Sequence, residues 1–144
     1  MDSLKENAIR YMDSENEYGE EKNQYHYNCA EVLLNASNDY YKLGADSKLL
    51  RSVIPFGGGI SCESTCGALT GGVVALGVML AEEKPSTNDR VKDITKEWVE
   101  TFQERFGDID CKKLKKIHRD PENGCRTLIL ESTEILESII EQYK

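Results

Sequence analysis

The chain has no basic excess. Its 144 residues carry 26 Asp and Glu against 18 Lys and Arg, a net charge of −8. Such a surface repels phosphate backbones and anionic lipid headgroups, so neither nucleic acid nor a membrane is an expected partner. The opening MDSLKENAIRYMDSENEYGEEK has no apolar h-region and so predicts no secretory signal. The uncharged run Thr65–Ala81 is shorter than the roughly 20 residues that cross a bilayer, and glycines interrupt it. A cytoplasmic protein follows as the expectation.

Local catalytic signatures are missing too. There is no C-x-x-C, so neither a thioredoxin-type pair nor a zinc ribbon is indicated. GGGISCESTCG has no G-K-[ST] ending and no strand before it, which excludes a phosphate loop. The two histidines, His26 and His118, stand outside any H-x-x-x-H spacing, and no local Cys–His signature marks a nucleophilic hydrolase. No segment alternates with period two, so no strand is predicted.

Cysteine and glycine are what the chain does have. It carries five cysteines and eleven glycines, and a domain of this size needs no disulfide staples to hold its core. In a reducing compartment that favours thiols with chemical work over structural bridges. The centre is Pro55–Ala81, where Gly57, Gly58 and Gly59 lead past Cys62 and Cys66 into an apolar helix. Gly67 and Gly71 share one face of that helix. Interior glycines cost about 1 kcal/mol each relative to alanine, so their presence implies close approach of a neighbouring backbone or of a bound group. Gly57, Gly58, Gly59, Gly67 and Gly71 are therefore candidate cofactor-binding positions.

Helices surround this segment. A weakly amphipathic helix over Lys5–Glu20, with Ala8, Ile9 and Met12 as its apolar stripe, is expected to pack loosely. Residues 1–24 are thus a peripheral acidic segment, and residues 28–143 the cysteine-bearing core of a single domain. Asn28 and Glu31 form a capping-box pattern in front of a helix with Cys29 at its first position, and Gly44 is the expected stop. The Gly-rich helix takes Ser61 or Ser64 as its cap. Val91, Ile94, Trp98, Val99, Phe102 and Phe106 draw the core face of the next helix, closed by Gly107. Asp110 caps a short helix beginning at Cys111. Asp120 or Asn123 opens the last helix, whose stripe runs from Leu128 through Ser132, Ile135, Leu136, Ile139 and Ile140 to Tyr143. The predicted class is all-α, a compact bundle of about five to six helices around the Gly-rich one.

In this reading Cys29, Cys111 and Cys125 sit within the first two positions of helices, and Cys62 and Cys66 in or near the first turn of another. Unpaired N–H groups and the helix dipole stabilise thiolates there. Lys112, Lys113, Lys115 and Lys116 push Cys111 the same way. If Cys62 and Cys66 lie on one helix, their Cα atoms are about 6 Å apart, within disulfide range.

These residues resemble a family. NCAEVLL, GGGISCESTCGALTGGVVALG, DIDCKKL and NGCRTLI, spread from Asn28 to Leu130, are similar to the C-GCAxxG-C-C family of redox-active proteins. The resemblance implies Cys29, Cys66, Cys111 and Cys125 as the family cysteines. This sequence departs from the pattern in placing Gly67 after Cys66 rather than before it, and Cys62 lies outside the pattern. Three functions follow as expectations. The first is thiol–disulfide or electron-transfer chemistry, an oxidoreductase role with Cys66 attacking, Cys62 or another cysteine resolving, and a redox partner protein. The second is zinc or an iron–sulfur cluster held by Cys29, Cys66, Cys111 and Cys125. The third is a helical interaction module without catalysis. A homo-oligomer is compatible with each.

Overall fold

The computed structural model describes residues 3–143. Its α-helices are α1 (Leu4–Asp13), α2 (Cys29–Tyr41), α3 (Ser47–Arg51), α4 (Gly67–Leu80), α5 (Asp89–Phe106), α6 (Cys111–His118) and α7 (Arg126–Gln142). That makes seven among the described residues rather than five to six, the short Ser47–Arg51 included. The described residues contain no strand, only isolated bridges, Thr65 with Asp110 and Asp120 with Gly124. Among them, no helix is long and apolar enough to cross a membrane.

The apolar run 67–80 becomes α4, and α2 and α5 pack against it. Ala68, Leu69, Ala75 and Leu76 are buried. Trp98 of α5 is fully buried and its indole N–H donates to the Leu69 carbonyl over 3.0 Å, which satisfies the one polar atom of the ring. The stripe read on α5 faces the core at Val91, Ile94, Trp98, Phe102 and Phe106, and α7 adds Leu128, Leu136, Ile139 and Ile140. Gly107 closes α5 in the left-handed conformation, φ 88°.

The first helix differs from its expected loose packing. Leu4 and Ala8 are fully buried in the main core, a stripe of Leu4, Asn7 and Ala8 rather than Ala8, Ile9 and Met12. Polar contacts fix it from both sides. The Leu4 N–H donates to Glu137 on α7 over 2.7 Å, and Arg126 pairs with Asp13 at 2.8 Å. Arg10 and Tyr11 both reach Asp39 on α2, the tyrosine hydroxyl at 2.6 Å. The helix is also shorter than read, because residues 14–24 form an exposed 3₁₀ segment with no buried residue.

Two other helix ends move. Lys42, at φ 54°, caps α2 before Gly44 is reached. The last helix starts after Cys125, because Asp120 spends its carboxylate on the Glu122 and Asn123 N–H groups in a tight turn.

Candidate functional site

Four helices begin with a cysteine. Cys29 is the first residue of α2, behind an Asn28–Glu31 capping box formed in both directions at 2.9 and 3.1 Å. Cys111 is the first residue of α6, behind Asp110, whose carboxylate accepts from the Lys112 N–H at 2.9 Å. Cys66 and Cys125 occupy the N-cap positions of α4 and α7. The expected caps Ser61 and Ser64 do not start α4, because the chain between them follows a different path.

A short bridge fastens two of these starts together. The Cys66 N–H donates to the Ile109 carbonyl at 2.7 Å, and the Cys111 N–H donates to the Ser64 carbonyl at 2.6 Å. These two bonds sit on either side of the Thr65–Asp110 bridge and hold the first turns of α4 and α6 side by side.

Glycines let the other contacts close. A Cβ on Gly67 would stand 2.3 Å from the Cys29 Sγ, and one on Gly71 would stand 2.5 Å from the Ala30 carbonyl oxygen. Either overlaps its neighbour, so α2 lies against α4 only because both positions lack a side chain. A Cβ on Gly59 would stand 2.5 Å from the Cys111 Cβ, and one on Gly57 would overlap the Asn28 side chain.

Cys62 is on no α-helix. It belongs to a wide turn, Gly59–Glu63, closed by the Ser64 N–H on the Gly59 carbonyl at 2.7 Å. Gly58, Gly59, Ile60 and Ser61 are all left-handed, and Glu63 again has φ 60°. For Ile60, Ser61 and Glu63 that conformation costs roughly 1–2 kcal/mol each. Cys62 is exposed, its thiol 3.7 Å from the Gly59 carbonyl, so the helical spacing to Cys66 does not apply.

Electrostatics brings four thiols into one group. Cys29 acts on the titration of Cys66, Cys111 and Cys125; Cys111 also acts on Cys66, and Cys125 on Cys111. The helix-start expectation of easily formed thiolates is overturned at three of them. Burial, reinforced by Cys29, pushes the Cys66 thiol up to about 12, although the Ala68 and Leu69 N–H groups oppose it. Burial likewise raises Cys111 against Lys115, and raises Cys125 against Arg119 and Lys115. The favourable helix-start groups are present, but desolvation and neighbouring sulfurs outweigh them. Lys113 and Lys115 have partners of their own in Asp108 and Glu63.

Two of the four thiols reach solvent. Cys29 and Cys125 line an open cavity of about 640 Å³ whose wall also holds Gly58, Lys115, Arg119 and Glu122, while Cys66 and Cys111 are buried at 7% exposure. His26 lies at the cavity edge, its Nδ1 2.6 Å from a Glu15 oxygen. His118 is tied to the Phe106 carbonyl at 3.0 Å. Among the described residues no group of three or more His, Cys, Asp or Glu has the geometry to hold a metal ion, and all five cysteines are free. The Thr65–Asp110 bridge, Arg119 and Glu122 had no signal in the sequence: the bridge joins segments 45 residues apart, and surface charges of either sign are common.

The sequence profile of the family described as "Putative redox-active protein (C_GCAxxG_C_C)" matches residues 27–139, and the chain belongs to that family. The matched span contains all five cysteines, but not α1 or the 3₁₀ segment after it, which supply Asp13 and Glu15 to the cavity wall. No curated protein and no solved structure matches the chain.

Proposed function

We propose that this member of the C_GCAxxG_C_C family is a thiol–disulfide oxidoreductase whose solvent-facing pair is Cys29 and Cys125, backed by Cys66 and Cys111. The observation that carries the reading is the meeting of four helix-start thiols around Cys29, with only two of them opening on the cavity. Exchange needs an accessible sulfur that can become a thiolate and a second thiol near enough to resolve the mixed disulfide. Cys125 supplies the accessible sulfur, with Arg119 and Lys115 partly offsetting the burial that raises its thiol, and Cys29, on the same cavity, is the resolving thiol in this reading. Burial makes Cys66 a poor first attacker at neutral pH, so its role here is that of an inner thiol. Cys62 faces solvent on its strained turn as a thiol for exchange with a redox partner protein. In this reading Gly57, Gly59, Gly67 and Gly71 admit the thiol-bearing helix starts rather than a cofactor, and Gly58 opens the cavity. Thiol counting with peptide mass mapping after mild oxidation tests the proposal. Loss of two thiols with a Cys29–Cys125 disulfide is expected, and five unchanged free thiols would overturn it.

One observation favours a second reading. Cys29 opposes ionisation of Cys66, Cys111 and Cys125, and a soft cation such as zinc or an iron–sulfur cluster would offset that repulsion. The described geometry holds no such group as it stands, so this reading requires the helix starts to shift. Metal analysis and an absorption spectrum after anaerobic purification separate the two.

A further inference from the structure

We propose that the cavity over Cys29 and Cys125 takes a low-molecular-weight disulfide with zwitterionic amino-acid head groups, Arg119 receiving the carboxylate and Glu122 the ammonium group. The inference rests on the oxidoreductase reading and names its substrate class. The charges on the wall carry it. Arg126 is paired with Asp13 at 2.8 Å, Lys115 with Glu63 at 3.7 Å, and His26 with Glu15 at 2.6 Å. Arg119 and Glu122, three residues apart on the turn that leads to Cys125, have side chains in no ion pair or hydrogen bond among the described residues, and both line the cavity. A wall with one cation and one anion that are in no ion pair among the described residues, with each other or with a neighbour, is complementary to a ligand carrying both charges. It disfavours a ligand with only one of them, which leaves the other charge unanswered. The volume of about 640 Å³ lies in the usual range for small-molecule sites.

The exchange step balances as follows. The Cys125 thiolate attacks one sulfur of RS–SR, forming a Cys125–SR mixed disulfide and releasing RS⁻. The Cys29 thiolate then attacks the Cys125 sulfur, closing a Cys29–Cys125 disulfide and releasing the second RS⁻. The two protons lost by the protein thiols convert both leaving groups to RSH. The substrate disulfide is reduced by two electrons and the protein pair is oxidised by two. A dithiol reductant, itself becoming a disulfide, returns the pair to its starting state.

Four disulfides test the proposal on the fully reduced chain in single turnover, each rate divided by that of the same reagent with free dithiothreitol so that differences in leaving-thiol acidity drop out: cystine (zwitterionic), cystamine (cationic), 3,3′-dithiodipropionate (anionic) and bis(2-hydroxyethyl) disulfide (neutral). Closure of the Cys29–Cys125 bond is followed by peptide mass mapping. Cystine is expected to react about fivefold faster than each of the others, the scale of a solvent-exposed charge contact. Arg119→Gln should bring cystine down to the rate of cystamine, and Glu122→Gln down to that of dithiodipropionate. Each rate is read relative to the neutral disulfide with the same variant, because loss of Arg119 also removes a cation that favours the Cys125 thiolate and so slows all four reagents; circular dichroism and thermal unfolding report that the fold is intact. Equal relative rates for all four, or variants that leave the advantage of cystine over the neutral disulfide unchanged, would overturn the substrate class while leaving the oxidoreductase reading in place. If no reagent joins Cys29 to Cys125, that underlying reading falls instead.

Discussion

Gly67 stands so close to Cys29 that a Cβ on the glycine would lie 2.3 Å from the Cys29 sulfur. One turn later Gly71 does the same against the Ala30 backbone, so the seam between α2 and α4 also sets the position of a thiol.

Gly71→Ala should therefore destabilise the protein by about 3 kcal/mol or more, since the atoms it meets are backbone and cannot rotate away. Gly67→Ala should cost less in stability, because a thiol can change rotamer, yet it should alter the reactivity of Cys29. Gly77, on the same helix, has open space around it, so Gly77→Ala should stabilise by roughly 0.5–1 kcal/mol. Denaturant unfolding of the three variants under reducing conditions checks the order. Equal effects at Gly71 and Gly77 would remove the close-packing argument.

The thiols should differ sharply in alkylation. A thiol titrating near 12 rather than 9.0 has about a thousandfold less thiolate at pH 8, a factor of ten for each pH step between the two values. Cys66 is also buried. Time-resolved iodoacetamide labelling with peptide mapping should find exposed Cys62 modified first and Cys66 last. Early labelling of Cys66 would mean that the first turn of α4 opens readily.

The same burial predicts a pH dependence of stability. The folded Cys66 thiol titrates above its unfolded value of 9.0, so the stabilisation it contributes is complete below pH 9. It declines as pH rises towards 12, where the unfolded chain releases a proton that the folded chain retains. Over that interval the loss amounts to about 4 kcal/mol, and Cys111 and Cys125, raised by burial as well, act in the same direction. Unfolding curves from pH 8 to 11 in the presence of reductant should fall more steeply for the wild type than for Cys66→Ala. Parallel curves would contradict the assigned burial.

Some of this was legible in the sequence and some was not. The α5 stripe, the Asn28–Glu31 box and the placement of Cys29 and Cys111 at helix starts follow from periodicity and capping chemistry, which are local. The glycine spacing on α4 announced a close neighbour without saying which. The path through Gly58–Glu63 was hidden because it depends on left-handed backbone at Ile60, Ser61 and Glu63, which local propensity argues against. The titration of the thiols went the other way because dipole and lysine effects are visible in sequence order, whereas desolvation and sulfur–sulfur proximity exist only after folding.

Ile60 offers the most direct test of that hidden turn. It is a β-branched residue at φ 56°, 43% exposed, so it bears the left-handed penalty with little burial in return. Ile60→Gly removes a strain of about 1–2 kcal/mol and adds back roughly 0.5–1 kcal/mol of glycine's own chain entropy. The expected result is a protein more stable by up to about 1 kcal/mol, against the usual cost of replacing isoleucine with glycine. If strain in this turn also holds Cys62 outward, the variant should slow Cys62 labelling while leaving the Cys29–Cys125 exchange rate unchanged. Chemical denaturation together with labelling kinetics reads both. A loss of 1 kcal/mol or more would show that Ile60 makes a packing contribution larger than its exposure implies, and the left-handed turn would then not be the source of strain assigned to it.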